Sequence, residues 1–222
     1  MDIDEQHNAL DNLKIIKEIF DRENIHYWLD AGTLLCAYRD GDLTYEHDTD
    51  IGVFIEDYPK VKAVESELRE KFGDIIGMFG YAQHNFILTS WGNKNHVHGD
   101  IIYWYPYQNL MYCHGTYLPF SMPQHFFREF TNISFHKLDT ETQFKVPLKI
   151  EEYLRYYFGE SWSMHLTKEQ HDKNMKDIEN RTIAPYPVNE FRPEIIQFKE
   201  QIRNGAFDSR VLWGKKRDFN IH

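Results

Sequence analysis

The feature that most constrains the fold is a stretch in which two carboxylates lead into an apolar run, Asp48-Thr-Asp-Ile-Gly-Val-Phe-Ile55. A stretch that starts polar and ends apolar is typical of a strand that enters a core at one end. Side chains at positions i and i+2 of a strand project from the same face, so Asp48 and Asp50 are predicted to lie together. Two adjacent carboxylates repel each other unless a cation lies between them, and such hard oxygen ligands suit Mg²⁺ or Mn²⁺. The pair therefore predicts a metal site, and the alternative is an ordinary solvated strand end.

The residues before this strand favour a second element of the same site. His26 to Asp30 form a short apolar segment that reads as a strand, and Gly32 then allows a tight turn. Residues 33–39 are predicted to form a short helix that stops at Asp40-Gly41. Backbone N–H groups around Gly32 and Thr33, at the start of this helix, would form a cradle for a phosphate.

A third carboxylate is expected from a neighbouring strand. Asp100 begins the apolar run Asp100-Ile-Ile-Tyr-Trp104, and a lone acid entering such a strand is costly unless it is paired or bound to a metal. The alternative is that Asp100 only caps the end of the strand. A phosphate cradle next to metal-binding carboxylates is what phosphoryl transfer requires.

The rest of the periodicity predicts a mixed α/β or α+β chain. Further helices are expected where apolar residues recur at helical spacing, and further strands where short apolar runs occur. The predicted helices cover residues 10–20, 58–73 and 148–158, and the predicted strands cover residues 86–91 and 97–105.

Composition sets limits on the class of protein. The 222 residues carry a formal net charge of −10, which argues against a protein that coats nucleic acid. Hydrophobic residues make up 41%, enough for a core, and no apolar run approaches the length of about 18 residues that a membrane span needs. With two cysteines and an acidic start where a signal peptide would be basic, we expect a reducing, cytoplasmic setting.

Several ordered blocks of the chain resemble the LicD/fukutin family. The resemblance is carried by Tyr27-Trp-Leu-Asp-Ala-Gly-Thr-Leu-Leu-Cys-Ala-Tyr-Arg39-Asp-Gly, by the acid-rich segment 46–50, and by later blocks at residues 122–127, 132–135 and 146–162. It implies an α+β nucleotidyltransferase-like fold, with a mixed β-sheet flanked by helices. It also implies transfer of a phosphorylated alcohol, such as phosphocholine, ribitol phosphate or glycerol phosphate, from a CDP-linked donor to a glycan.

The resemblance also implies a set of site residues. Glu46, Asp48 and Asp50 would bind Mg²⁺ or Mn²⁺, with Asp100 as a further ligand or as the base that accepts the acceptor's proton. Glu46 stands where the family usually has an aspartate, and Ala31 and Cys36 replace frequent glycines. Residues 1–162 would form the catalytic domain. Residues 163–222, which are slightly basic and hold three prolines, would form a helical or loop extension.

Other signals leave alternatives open. Arg39 would either bind a donor phosphate or pair with Asp40 or Asp42. The aromatic residues between Tyr103 and Tyr107 would either form a wall for a quaternary ammonium group or belong to the core and its rim.

Two weaker signals are a transition-metal site and a basic tail. His96, His98 and Asp100 alternate along one strand in a pattern that a zinc site would also show. The Lys215-Lys-Arg217 cluster would allow a peripheral contact with an anionic membrane surface, and the alternative is a solvated tail. For the whole chain, the alternatives to the transferase are a nucleotidyltransferase that releases pyrophosphate and a non-catalytic nucleotide-binding module.

Overall fold

A computed structural model of the chain shows a mixed β-sheet with helices packed against it. The structure describes residues 1–72, 78–80, 87–92, 97–107, 109–113, 120–167, 169–170 and 173–174. The helices of this part are α1 (Ile3–Arg22), α2 (Ala31–Arg39), α3 (Tyr58–Ala63), α4 (Glu65–Phe72) and α5 (Ile150–Phe158), with short 3-10 turns at Ile55–Asp57 and Gln124–Phe127. The expected mixed fold with a sheet flanked by helices is confirmed.

The main sheet runs in the order β1-β2-β5-β4-β3 and is extended beyond β5 by β6 and β7, while β8 and β9 form a separate hairpin. Strand β2 is parallel to β5, and every other described pair of strands is antiparallel. The strands are β1 (Tyr27–Leu29), β2 (Asp48–Phe54), β3 (Met78–Gly80), β4 (Ile87–Gly92), β5 (His98–Tyr107), β6 (Leu110–Cys113), β7 (Phe120–Pro123), β8 (Phe130–Phe135) and β9 (Asp139–Pro147).

Helix α1 starts earlier than its apolar periodicity indicated. Asp2 caps the helix by accepting hydrogen bonds from the backbone N–H groups of Asp4 and Glu5, and the Glu5 side chain bonds back to the Asp2 N–H. This capping box satisfies N–H groups that the helix itself leaves free, so the first turn forms without apolar contacts.

The single helix predicted over residues 58–73 is two helices in the structure. The backbone of Val64 leaves the helical conformation, with φ −94° and ψ 3°. This break separates α3 from α4, and Val64, Leu68 and Phe72 all become buried. A local pattern of apolar residues cannot reveal such a break, because both halves keep the same helical spacing.

Three aromatic residues of β5 lie inside the protein. Tyr103 and Trp104 are fully buried and Tyr105 is 2% exposed, so the hypothesis that these three form a wall for a quaternary ammonium group is wrong. The side chain of Tyr107 lies outside the described part of the structure. Trp28 lies against the backbone of Gly52, where a side chain would overlap its indole ring. These large rings fill the space between the sheet and the helices, which is why they are not available to a ligand.

The described helices include none with the length and apolarity that crossing a membrane requires. Neither cysteine forms a disulfide bond, and both are buried. His96 and Lys215 to Arg217 lie outside the described residues, as does most of the extension predicted after residue 162. The predicted division at residue 162 stays a prediction.

Candidate metal and phosphate site

Three carboxylates meet where the loop after α2 enters strand β2. One ligand oxygen from each of Glu46, Asp48 and Asp50 lies within 4.8 Å of the others, and all three side chains are half-buried. Asp48 and Asp50 share a face because they are two residues apart on the strand. The structure therefore brings together the three acidic residues that the sequence singled out.

The electrostatics of this cluster are unfavourable without a cation. Burial raises the pKa of Asp50 well above its ordinary value, and the neighbouring charges of Asp48, Glu46 and Asp100 raise it further. Burial and the Asp48 charge raise the pKa of Glu46 to about 8. Each shift reflects the cost of placing like charges together away from water.

The donor set fits a hard divalent cation. Three carboxylates supply only oxygen ligands, which is the preference of Mg²⁺ and Mn²⁺, and a cation between them would remove the repulsion that raises the two pKa values. The structure thus offers a place for such an ion.

Asp100 lies opposite Asp50 on the neighbouring strand. The parallel register of β2 and β5 pairs Asp48 with His98 and Asp50 with Asp100. Residues paired in this way project from the same face of the sheet, and the Asp100 charge contributes to the raised pKa of Asp50. Asp100 does not belong to the three-residue group within 4.8 Å, so it lies beside that group.

Gly32 lies next to the cluster of three carboxylates. A side chain on Gly32 would overlap the carboxylate of Glu46, so only glycine allows this close approach. The Glu46 carboxylate therefore lies beside the start of α2, where the sequence predicted a phosphate. The N-terminal end of a helix favours either kind of anion through its free N–H groups and its dipole.

Thr33 has a role that the sequence did not indicate. It is completely buried, and its hydroxyl oxygen accepts a hydrogen bond of 2.7 Å from the backbone N–H of Asp50. The side chain thus reaches from α2 to the strand that carries the metal ligands.

Arg39 has the ion-pair partner that was the alternative to phosphate binding. Its guanidinium group bonds both carboxylate oxygens of Asp40, with the closest N–O distance at 2.7 Å. It also donates to the backbone carbonyl groups of Trp162 and Met164. In this arrangement Arg39 ties the segment after α5 to α2.

Asp30, a fully buried carboxylate at the start of α2, was not among the predicted site residues. Its oxygens accept hydrogen bonds from the Trp104 indole N–H at 2.6 Å, the Tyr153 hydroxyl at 2.5 Å and the Ala31 N–H at 2.8 Å. Burial raises the pKa of Asp30, and the bonds from Tyr153 and Trp104 act in the opposite direction. An acid directly before a helix is a recognised capping signal and could have drawn attention to it.

Comparison with known proteins gives the site a family context. The family model described as "LicD/FKTN/FKRP, nucleotidyltransferase domain" matches residues 24–142, more than half of the chain. This range includes Glu46, Asp48, Asp50 and Asp100.

Curated relatives match with low identity over large parts of the chain. Human ribitol 5-phosphate transferase FKRP is 24% identical over 127 residues, which cover 53% of this chain and 25% of the relative. Mouse ribitol-5-phosphate transferase FKTN is 26% identical over 180 residues, or 78% of this chain and 36% of the relative. The FKTN of Macaca fascicularis is 24% identical over 197 residues, or 86% and 40%. The chain thus spans less than half of the length of these relatives.

Among solved structures, a lincomycin-bound lincosamide antibiotic adenylyltransferase, LnuA, aligns with a TM-score of 0.42 and 17% identity. The alignment covers 76% of this chain and 96% of that one. The family model, with its match over more than half of the chain, is what assigns the protein: it belongs to the LicD/FKTN/FKRP family.

Proposed function

We propose that the chain is a metal-dependent transferase that moves a phosphorylated alcohol from a CDP-linked donor to a hydroxyl group of a glycan and releases CMP. The observation that carries the proposal is the group formed by Glu46, Asp48 and Asp50, within a domain of this family. The relatives whose names describe an activity are ribitol 5-phosphate transferases, which supports the class of group transferred.

In the proposed reaction, an acceptor oxygen attacks the phosphorus that carries the alcohol. A new P–O bond forms, the bond between that phosphorus and the bridging oxygen of the diphosphate breaks, and CMP leaves with the bridging oxygen. Glu46, Asp48 and Asp50 would hold Mg²⁺ or Mn²⁺, which neutralises the charge of the diphosphate when bound.

Asp100 has two candidate roles in this reaction. It either accepts the proton of the attacking hydroxyl or completes the ligand set of the metal. Its position opposite Asp50 and outside the three-residue group is compatible with both roles. The backbone N–H groups of Gly32 and Thr33, at the start of α2, remain the proposed phosphate cradle, whereas Arg39 is engaged with Asp40.

The test is to incubate the full chain with Mg²⁺, a panel of CDP-alcohols and candidate glycan acceptors, and to follow the phosphorus products by NMR. CMP together with a phosphodiester on the acceptor is the expected result. Asp50→Asn should be inactive, and Asp11→Asn, which alters an exposed carboxylate on α1, should match the parent.

Other products would contradict the proposal. Pyrophosphate released from a nucleoside triphosphate would show attack at the α-phosphorus, the alternative reaction of a nucleotidyltransferase domain. Binding of the donor without any turnover, with every acceptor and with water, would favour a non-catalytic nucleotide-binding module. Because CDP-linked alcohols are made in the cytoplasm, we propose that compartment as the place of action.

A further inference from the structure

The backbone of Asp50 is held at a place where the regular pairing of two strands ends. Strands β1 and β2 are antiparallel, and the last pair of their regular ladder is Leu29 with Ile51. One residue further on, the Asp30 N–H still donates to the Asp50 carbonyl at 3.1 Å. Regular antiparallel pairing would now require the Asp30 carbonyl to accept from the Asp50 N–H.

That carbonyl is directed along α2 instead. The chain turns into α2 directly after Asp30, and the Asp30 carbonyl accepts the Leu34 N–H at 3.0 Å as the first bond of the helix. The Asp50 N–H would be left without its strand partner in an interior where an unpaired N–H is costly. The buried hydroxyl of Thr33, at 2.7 Å, accepts this N–H instead.

We propose that Thr33 is a positioning residue for the metal site: its hydroxyl replaces the missing strand partner and fixes the backbone from which the Asp50 carboxylate projects. The inference rests on the metal site of the proposed function. The three carboxylates repel one another, so the backbone must hold them together against that repulsion until a cation binds. A rotation of the Asp50 peptide would turn its carboxylate away from Glu46 and Asp48.

The hydroxyl contacts the backbone of a ligand and not a proposed metal position, so its loss should weaken the site without removing a ligand. Partners that orient metal ligands typically change metal affinity by about 10-fold to 100-fold when they are removed. Thr33→Val keeps the shape of the side chain and deletes the acceptor. Thr33→Ser keeps the acceptor and deletes only a methyl group.

The experiment titrates Mn²⁺ into the full chain without any donor and measures free Mn²⁺ by electron paramagnetic resonance. Thr33→Val should bind Mn²⁺ at least about tenfold more weakly than the parent, and Thr33→Ser should stay within about twofold. Thr142→Val is the matched control, since it removes a hydroxyl that bonds Asp139 in the β8–β9 hairpin. It should bind Mn²⁺ as the parent does.

Each other outcome is decisive. Parent-like affinity in Thr33→Val overturns the inference, and so does equal weakening in Thr33→Val and Thr33→Ser, which would show that packing matters and not the hydroxyl. Weakening of the same size in Thr142→Val would also overturn it, because the loss of a distant hydroxyl would then have the same effect as the loss of the Thr33 hydroxyl. If Thr33→Val does not fold, Thr33→Ala replaces it against Thr33→Ser. A parent that binds no Mn²⁺ would instead contradict the metal site and the proposed function.

Discussion

Single residues at the start of β2 concentrate negative charge in a half-buried volume. Glu46 and Asp50 have raised pKa values because each is buried and faces the charges of its neighbours. In the absence of a metal, a group of this kind lowers the free energy of unfolding. Removing one of its charges should therefore raise that free energy.

Neutralising one carboxylate should therefore separate activity from stability. Asp50→Asn is expected to lower the rate of CMP release by about 10³-fold or more, because it removes a metal ligand. In EDTA the same variant should unfold at a higher temperature than the parent, since one of the repelling charges is gone. Activity within about tenfold of the parent, or a lower unfolding temperature in EDTA, would contradict this account.

Ala31 offers a second test at the residue scale. Its φ is +42°, in the left-handed region where a Cβ costs about 1–2 kcal/mol. Ala31→Gly removes this strain. The greater freedom of glycine in the unfolded chain lowers the free energy of unfolding by about 0.4–1 kcal/mol and so offsets part of the gain. We expect a net gain of about 0.5–1 kcal/mol in the free energy of unfolding, measured by urea denaturation. A loss of stability would mean that the buried methyl group outweighs the strain.

At the scale of elements, Asp30 joins three parts of the fold. It caps α2, and its carboxylate accepts hydrogen bonds from Trp104 on β5 and from Tyr153 on α5. The same residue donates its N–H to Asp50 on β2. The start of α2 is thereby fixed relative to the two strands that carry Asp50 and Asp100.

The Tyr153 bond should be worth more than an average one, because its acceptor is a buried carboxylate. Tyr153→Phe is expected to cost about 1.5–3 kcal/mol of unfolding free energy, the usual range for hydrogen bonds to charged groups. The matched control is Tyr27→Phe, which removes a buried hydroxyl that has no hydrogen-bond partner in the described part of the chain. That variant should be neutral or slightly more stable in the same denaturation assay. Equal losses in both variants would show that ring packing, and not the bond to Asp30, is what was disturbed.

At the scale of the whole molecule, the carboxylate cluster links stability to pH and to metal. The pKa of Glu46 is about 8 in the folded protein against an ordinary value of 4.5. Between these two values the folded protein keeps a proton that the unfolded chain has released, so stability falls as pH rises through this window. Asp50, whose pKa is also raised, acts in the same direction.

Thermal unfolding measures this linkage directly. In EDTA, the protein should unfold at a higher temperature at about pH 6 than at about pH 8. Saturating Mg²⁺ should reduce or reverse the difference, because it binds the ionised carboxylates of the folded protein. Glu46→Gln should flatten the dependence in EDTA. A parent whose unfolding temperature in EDTA rises from about pH 6 to about pH 8 would contradict the electrostatic description of the cluster.

Several parts of this protein depend on short-range patterns and could be predicted from the order of its residues. The polar-to-apolar strand at Asp48, the short helix that ends at Arg39 and the strand that begins near Asp100 all follow from local spacing, and all three occur in the structure. The helix begins at Ala31, however, so Gly32 lies inside it and not in the predicted turn before it. The class of the fold and the family follow in the same way, because blocks of residues in a fixed order carry them. The three acidic residues could be named in advance for the same reason.

The partners of these residues, in contrast, depend on how distant elements pack together. Two of these pairings join residues that are far apart in the sequence: the parallel register sets Asp100 opposite Asp50, and the Trp104 indole bonds Asp30. In a third, Arg39 pairs with Asp40, one of several partners that the sequence allowed. The Asp50 N–H bonds the Thr33 hydroxyl, while the Asp30 carbonyl, its partner in a regular ladder, accepts the Leu34 N–H as the first bond of α2. Which acceptor a backbone N–H meets depends on how a helix and a strand are placed in space, and a linear pattern of residue types does not contain that placement.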